Sequence, residues 1–153
     1  EMEEIDFGKL LRQTLADMDG EIQKSPYKFK IDIPKEAVMV YADGDRMYRV
    51  FQNLIGNALK YSLEGSRIYV SLKTEKNAAV ADIRNTSRSE LKQDVDFTAR
   101  FTRGDESRTD GGSGLGLSIA KSFTEACGGT FEVETMADLF TVKVSFDKKS
   151  SNV

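Results

Sequence analysis

The chain is 153 residues long, which suits one domain with a sizeable core. Hydrophobic residues make up 39% and charged residues 31%, and a formal net charge of −3 lacks the basic excess of a nucleic-acid binder. The histidine count is 0, so no histidine triad, histidine metal ligand or histidine phosphoacceptor belongs to the chain itself.

The opening EMEEIDFGK has no signal-peptide pattern, and no apolar run reaches the length of a membrane span, so the domain reads as cytoplasmic. Residues 1–5 are acidic and read as the end of a linker from a preceding segment; the domain proper is expected over 6–147 and a disordered tail over 148–153. Asp6 is the expected N-cap of a helix over about 8–24, with Phe7, Leu10, Leu11, Leu15, Met18 and Ile22 as its apolar stripe. Ser25-Pro26 ends it. Phe29, Ile31 and Ile33 alternate with polar residues, as in a half-buried strand closed by Pro34, and residues 38–42 form a second short strand. Asp43-Gly44-Asp45 turns the chain and caps a long helix over about 45–61.

Ile68, Val70 and Leu72 alternate again, and a further strand covers about 79–85. Ala79, Ala81, Ile83 and Asn85 share one face of it and Asp82 and Arg84 the other, so the inward face ends in an amide. A short helix is expected near 89–95, then a mobile lid pinned by Phe97 and Phe101. The helix after the lid carries Leu115, Ile119, Phe123 and Ala126 and stops at Gly128-Gly129, with Cys127 a buried small residue that forbids an internal disulfide. Strands at 130–134 and 140–146 form a hairpin through Met136-Ala137-Asp138. The sum is an α/β two-layer sandwich: a mixed, mostly antiparallel sheet of five or six strands with about three helices on one face.

Two stretches carry the chemistry. In FQNLIGNALKYS (51–62), Asn53, Asn57 and Lys60 fall in one sector of the helix, joined by Arg46 and Arg49, while apolar residues fill the opposite side. Two carboxamides four residues apart can offer neutral oxygens to a hard cation such as Mg²⁺, and a lysine one turn on can meet a phosphate. Any solvated helix face can look this way. The second stretch, GGSGLGLS (111–118), is a glycine-rich loop running into a helix, a pattern that lets backbone N–H groups approach an anion at a helix N-terminus.

In this order, Asn53-x-x-x-Asn57-Ala58-x-Lys60-Tyr61, a strand-end amide, Phe97/Phe101 and Gly112-x-Gly114-x-Gly116 resemble the ATP-binding catalytic domain of bacterial two-component sensor histidine kinases. The wider superfamily includes type II topoisomerase subunits, mismatch-repair ATPases and a heat-shock chaperone. The resemblance implies that Asn53 and Asn57 hold Mg²⁺ against the phosphates of ATP, that Lys60 reaches a phosphate, and that Tyr61 lies against the nucleotide. It implies that Phe97 and Phe101 anchor an ATP lid, and that Gly112, Gly114, Leu115, Gly116 and Leu117 make the second glycine box. Arg100, Arg103 and Arg108 are the lid bases placed to approach phosphate or the acceptor, Arg103 foremost.

The family's first glycine box begins with an aspartate that accepts from the adenine amine, followed by Gly-x-Gly. Here Asn85-Thr86-Ser87 stand at that place. An amide can still accept from adenine, and it can also turn over and donate to a guanine carbonyl, so weaker discrimination against GTP is expected. Hydrolysing relatives carry a glutamate at the place of Asn53, because attack by water needs a general base. An amide cannot remove a proton, whereas a neutral imidazole is already nucleophilic near pH 7. The resemblance therefore implies a protein-histidine kinase that transfers the γ-phosphate of Mg²⁺-ATP to a histidine on a separate dimerisation and phosphotransfer domain, for relay to a response-regulator receiver domain. The full-length protein would be a membrane-anchored homodimer, with no nucleic acid as partner. An ATP-hydrolysing switch, and a degenerate module serving only protein contact, stay open as alternatives.

Overall fold

A computed structural model describes residues 1–92, 95–99 and 115–148. In chain order the elements are β1 (Met2–Asp6), α1 (Phe7–Asp17), α2 (Asp19–Lys24), β2 (Lys28–Asp32), β3 (Met39–Asp43), α3 (Gly44–Tyr61), β4 (Arg67–Glu75), β5 (Ala78–Thr86), α4 (Leu115–Ala126), β6 (Thr130–Met136) and β7 (Leu139–Asp147). The main sheet has five strands in the order β2-β4-β5-β7-β6, parallel only between β2 and β4, and β1 and β3 form a separate two-stranded ribbon. This is the α/β sandwich that the alternation of apolar residues implies.

The period-2 pattern decides the faces. Ile68, Val70 and Leu72 of β4, Ala79, Ala81 and Ile83 of β5, and Phe140, Val142, Val144 and Phe146 of β7 are all buried under the helices. Phe7 of α1 meets Phe51 of α3 at 5.2 Å and Phe146 of β7 at 5.4 Å, so one ring joins both layers. The opposite face is polar but cross-linked: Ser71 Oγ donates to Asp82 at 2.9 Å and Arg84 Nε to Thr141 Oγ1 at 3.2 Å. Among the described residues no helix is long and apolar enough to cross a membrane.

Four sequence expectations are corrected. Residues 1–5, expected as linker end, pair along β3 from Met2↔Asp43 to Asp6↔Met39, where an acidic strand can lie because its side chains stay largely in water. The helix expected over 8–24 breaks at Met18, which leaves helical geometry (φ −99°, ψ 9°) to bury its side chain, between flanking Asp17 and Asp19. No helix forms in the described part of 89–95: Ser87 Oγ accepts the Ser89 N–H at 3.1 Å and donates to the Ser89 carbonyl at 2.7 Å, a local alternative to helical bonding. Lys148, expected in the tail, donates its N–H to the Asn77 carbonyl at 2.5 Å; residues 149–153 lie outside the described residues.

The caps behave as read. Asp6 accepts the Lys9 N–H at 3.3 Å and the Val38 N–H at 3.2 Å, tying α1 to the approach of β3. At the end of α4, Gly128 (φ +87°) and Gly129 send their N–H groups back to Glu125 and Thr124, both at 2.9 Å, which is the Schellman pattern. Cys127 is buried between them and the helix.

Two glycines should respond oppositely to a methyl group. A Cβ on Gly129 would sit 2.7–2.9 Å from the Phe146 ring, so Gly129→Ala is expected to cost about 1–3 kcal/mol. Nothing lies within 4 Å of a Cβ on Gly56 inside α3, so Gly56→Ala should stabilise by about 0.5–1 kcal/mol through helix propensity. Urea denaturation measures both: a Gly129→Ala that does not destabilise would overturn the Phe146 contact, and a Gly56→Ala that does would overturn the open space on α3.

Candidate functional site

Helix α3 starts where Asp43 Oδ1 accepts the N–H groups of Asp45 and Arg46 at 3.0 and 3.1 Å. From that start Met47, Val50, Phe51, Leu54, Ile55 and Ala58 are buried, and the 3.6-residue period leaves Asn53 and Asn57 half-buried and Lys60 exposed in the last turn. The Arg46 guanidinium lies over the Phe123 ring of α4 at 5.6 Å, and Asn53 Nδ2 reaches the Gly116 carbonyl of α4 at 3.4 Å. Seven residues forward on α3 thus match seven residues backward on α4. The helices run antiparallel, and the N-terminal end of α4, with its favourable potential for anions, lies level with Asn53.

The other end of α3 is stitched to the end of β5. Leu63 N–H donates to the Thr86 carbonyl at 2.8 Å, Arg88 N–H to the Tyr61 carbonyl at 2.9 Å, and the Arg88 guanidinium lies 5.9 Å from the Tyr61 ring centre. Within this seam Asn85 is buried, and its Nδ2 donates to Ser62 Oγ at 2.9 Å. Asp82, the carboxylate of β5, faces the opposite side and takes the Ser71 hydroxyl. Asn85, not Asp82, is therefore the polar group that the sheet delivers to the helix layer.

Phe97 is buried edge-on against Phe140 of β7, with ring centres 5.2 Å apart. Just before it, the hydroxyl and N–H of Thr98 hold the Asp96 carboxyl below the usual carboxylate range. These bonds fix the turn that delivers the Phe97 ring.

The structure thus brings Asn53 together with Gly116, and Tyr61, Asn85 and Thr86 to the seam, with Lys60 exposed in the last turn of α3. Leu117 is a buried residue of α4, and Leu115 begins that helix. Arg100, Phe101, Arg103, Arg108, Gly112 and Gly114 lie outside the described residues. Sequence reasoning missed Ser62 as the partner of Asn85. Its only signal is a hydroxyl residue at the end of the helix that carries the amides. It also missed that Arg46 braces α3 on Phe123.

The chemistry of the donors suits a cation that is shared with a ligand. Among the described residues no three His, Cys, Asp or Glu side chains gather into a metal cage. What the site offers are carboxamides, and the Asn53 nitrogen is turned to Gly116, so that its oxygen is the atom left to coordinate. Mg²⁺ is commonly held in this way, by one or two protein ligands plus substrate phosphates.

The family model described as histidine kinase-, DNA gyrase B- and HSP90-like ATPase matches residues 42–150. Sensor protein KdpD of Clostridium acetobutylicum is 36% identical over 110 residues, 69% of this chain and 12% of that protein. Sensor histidine kinase YcbM of Bacillus subtilis is 36% identical over 118 residues, 74% of this chain and 38% of that protein. The chain therefore spans well under half the length of these curated relatives. The fold is that of the catalytic domain of histidine kinase ThkA, with a TM-score of 0.83 at 22% identity, covering 97% of this chain and 96% of that one. The chain belongs to the histidine kinase-, DNA gyrase B- and HSP90-like ATPase family, as an ATP-binding catalytic domain of the sensor histidine kinase type.

Proposed function

We propose that the domain binds Mg²⁺-ATP between the amide face of α3 and the N-terminus of α4, and that it transfers the γ-phosphate to a histidine on a separate dimerisation domain of the same kinase. The phosphoryl group would pass on to a response-regulator receiver domain. The observation that carries this reading is the Asn53–Gly116 contact, which sets the amide-bearing helix beside the glycine-flanked start of α4. Asn53 and Asn57 would hold Mg²⁺, whose charge would neutralise the phosphate oxygens. Lys60 adds a positive charge one turn on, and Tyr61 and Thr86 border the nucleotide beside Asn85. Leu117 is buried in α4, and Gly112, Gly114, Leu115 and Phe101 would complete the cradle and lid, with Arg103 meeting the developing charge. We further propose that the full-length protein is a membrane-anchored homodimer with this domain on the cytoplasmic side.

Transfer is favoured over hydrolysis by what the residues cannot do. Asn53 and Asn57 cannot accept a proton from water, and phosphoryl transfer asks mainly for positioning and charge stabilisation. The acceptor imidazole supplies its own nucleophilicity.

Calorimetric titration with a non-hydrolysable ATP analogue should show binding that depends on Mg²⁺. Asn57→Ala should weaken it by about tenfold to a hundredfold, the scale of ~1.5–3 kcal/mol for a bond to a charged group. Binding indifferent to both Mg²⁺ and this substitution would remove the assignment.

With labelled ATP the domain alone should not label itself, since it has 0 histidines. Mixed with a dimerisation domain bearing the acceptor, it should give label that is lost in acid and kept in alkali, as for a phosphoramidate. Steady phosphate release without the acceptor, surviving Asn57→Ala but not Asn53→Ala, would favour the hydrolysing switch instead.

A further inference from the structure

Ser62 has one hydroxyl proton, and it is already committed. Its Oγ donates to the Ala58 carbonyl at 2.5 Å, so toward Asn85 the same oxygen can only accept. Asn85 therefore presents its nitrogen to Ser62, at 2.9 Å, and its oxygen lies on the other branch of the planar amide. Both residues are buried, Ser62 at 1% and Asn85 at 4% exposure.

Ser62 itself has little freedom to adapt. Its N–H bonds Ala58, its carbonyl accepts the Tyr27 hydroxyl at 3.1 Å, and it bridges to Ser87 at the end of β5. We propose that Ser62 is a positioning residue that fixes the Asn85 carboxamide with its oxygen available to the base, and so makes the site select adenine over guanine. The proposal rests on the nucleotide site argued above.

The physical reason is a count of bonds. An aspartate would need no such device, because both of its oxygens accept. An asparagine has an accepting edge and a donating edge: one suits the exocyclic amine of adenine, the other the carbonyl that guanine carries at that position. Turning the amide over would replace two buried bonds, Asn85 to Ser62 and Ser62 to Ala58, by one from Ser62 to Asn85. The relaxed discrimination expected from the sequence considered Asn85 without this neighbour. With it, the donating orientation is disfavoured.

The test is the ratio of affinities for non-hydrolysable ATP and GTP analogues, measured by calorimetry on folded protein. The wild type should prefer ATP. Ser62→Ala should reduce the ratio about fivefold, which is the ~1 kcal/mol of one net hydrogen bond. Ser62→Thr, which keeps the hydroxyl, should restore it. In an Asn85→Asp background Ser62→Ala should leave the ratio unmoved, because a carboxylate has no edge to choose. If Ser62→Ala is too unstable, Ser62→Cys, with a weak S–H in similar volume, should move the ratio in the same direction. An unchanged ratio in Ser62→Ala with ATP still bound, or a wild type that takes GTP as well as ATP, would overturn the proposal alone. A folded wild type that binds neither would overturn the nucleotide site and this proposal with it.

Discussion

The structure depends on a two-point clasp between α3 and α4. Arg46 on the Phe123 ring and Asn53 on the Gly116 carbonyl are each two helical turns apart on their own helices, about 10 Å, so together they fix register as well as direction. A single contact would let the helices slide or pivot. Two, one cation on a ring and one amide N–H on a carbonyl, hold the start of α4 level with the amides. On the proposed function, that level lets the backbone N–H groups of α4 and the side chains of α3 address the same phosphates. The clasp is weak in each part and gains its definition from the apolar packing beneath it, where Leu54, Ile55, Leu117 and Ala120 are buried.

The second constraint is a polar group at the end of an apolar row. Ala79, Ala81 and Ile83 put small and branched side chains into the core, and the same period delivers Asn85 to the helix layer. A carboxamide buried there must be bonded, since an unmet donor costs roughly 1–3 kcal/mol. Ser62 meets it because the C-terminus of α3 is drawn onto β5 by the Leu63–Thr86 and Arg88–Tyr61 backbone bonds. Satisfying the amide and aiming it are one act.

Legibility in the sequence follows the range of the cause. The core faces of β4, β5 and β7, the inward placement of Asn85, the caps at Asp6 and Asp43 and the glycine stop of α4 were readable, because each follows from a period or a residue within a few positions; the alternation in β2 misled, since Ile31 is exposed. The strand at residues 2–6 was not, since it draws its stability from pairing with β3 some 40 residues away and its own acidic composition argues against it. The break at Met18 and, among the described residues of 89–95, the absence of a helix were local events of the wrong kind: a residue leaving helical dihedrals, and a serine hydroxyl competing for the backbone. The partnership of Ser62 with Asn85 spans 23 residues and two elements, and only the folded chain shows it.

A domain without histidine, whose best-placed polar groups are amides, cannot perform both halves of a phosphoryl transfer. It can hold, orient and neutralise charge, but among Asn53, Asn57 and Asn85 nothing takes or gives a proton. This divides the labour in a definite way. On the proposed function, nucleophilicity arrives with the acceptor, because none of those amides takes or gives a proton. Two of these amides are held by neutral partners, Asn53 on the Gly116 carbonyl and Asn85 on the Ser62 hydroxyl. What the chain contributes is geometry: two helices kept in register, and one amide kept from turning over.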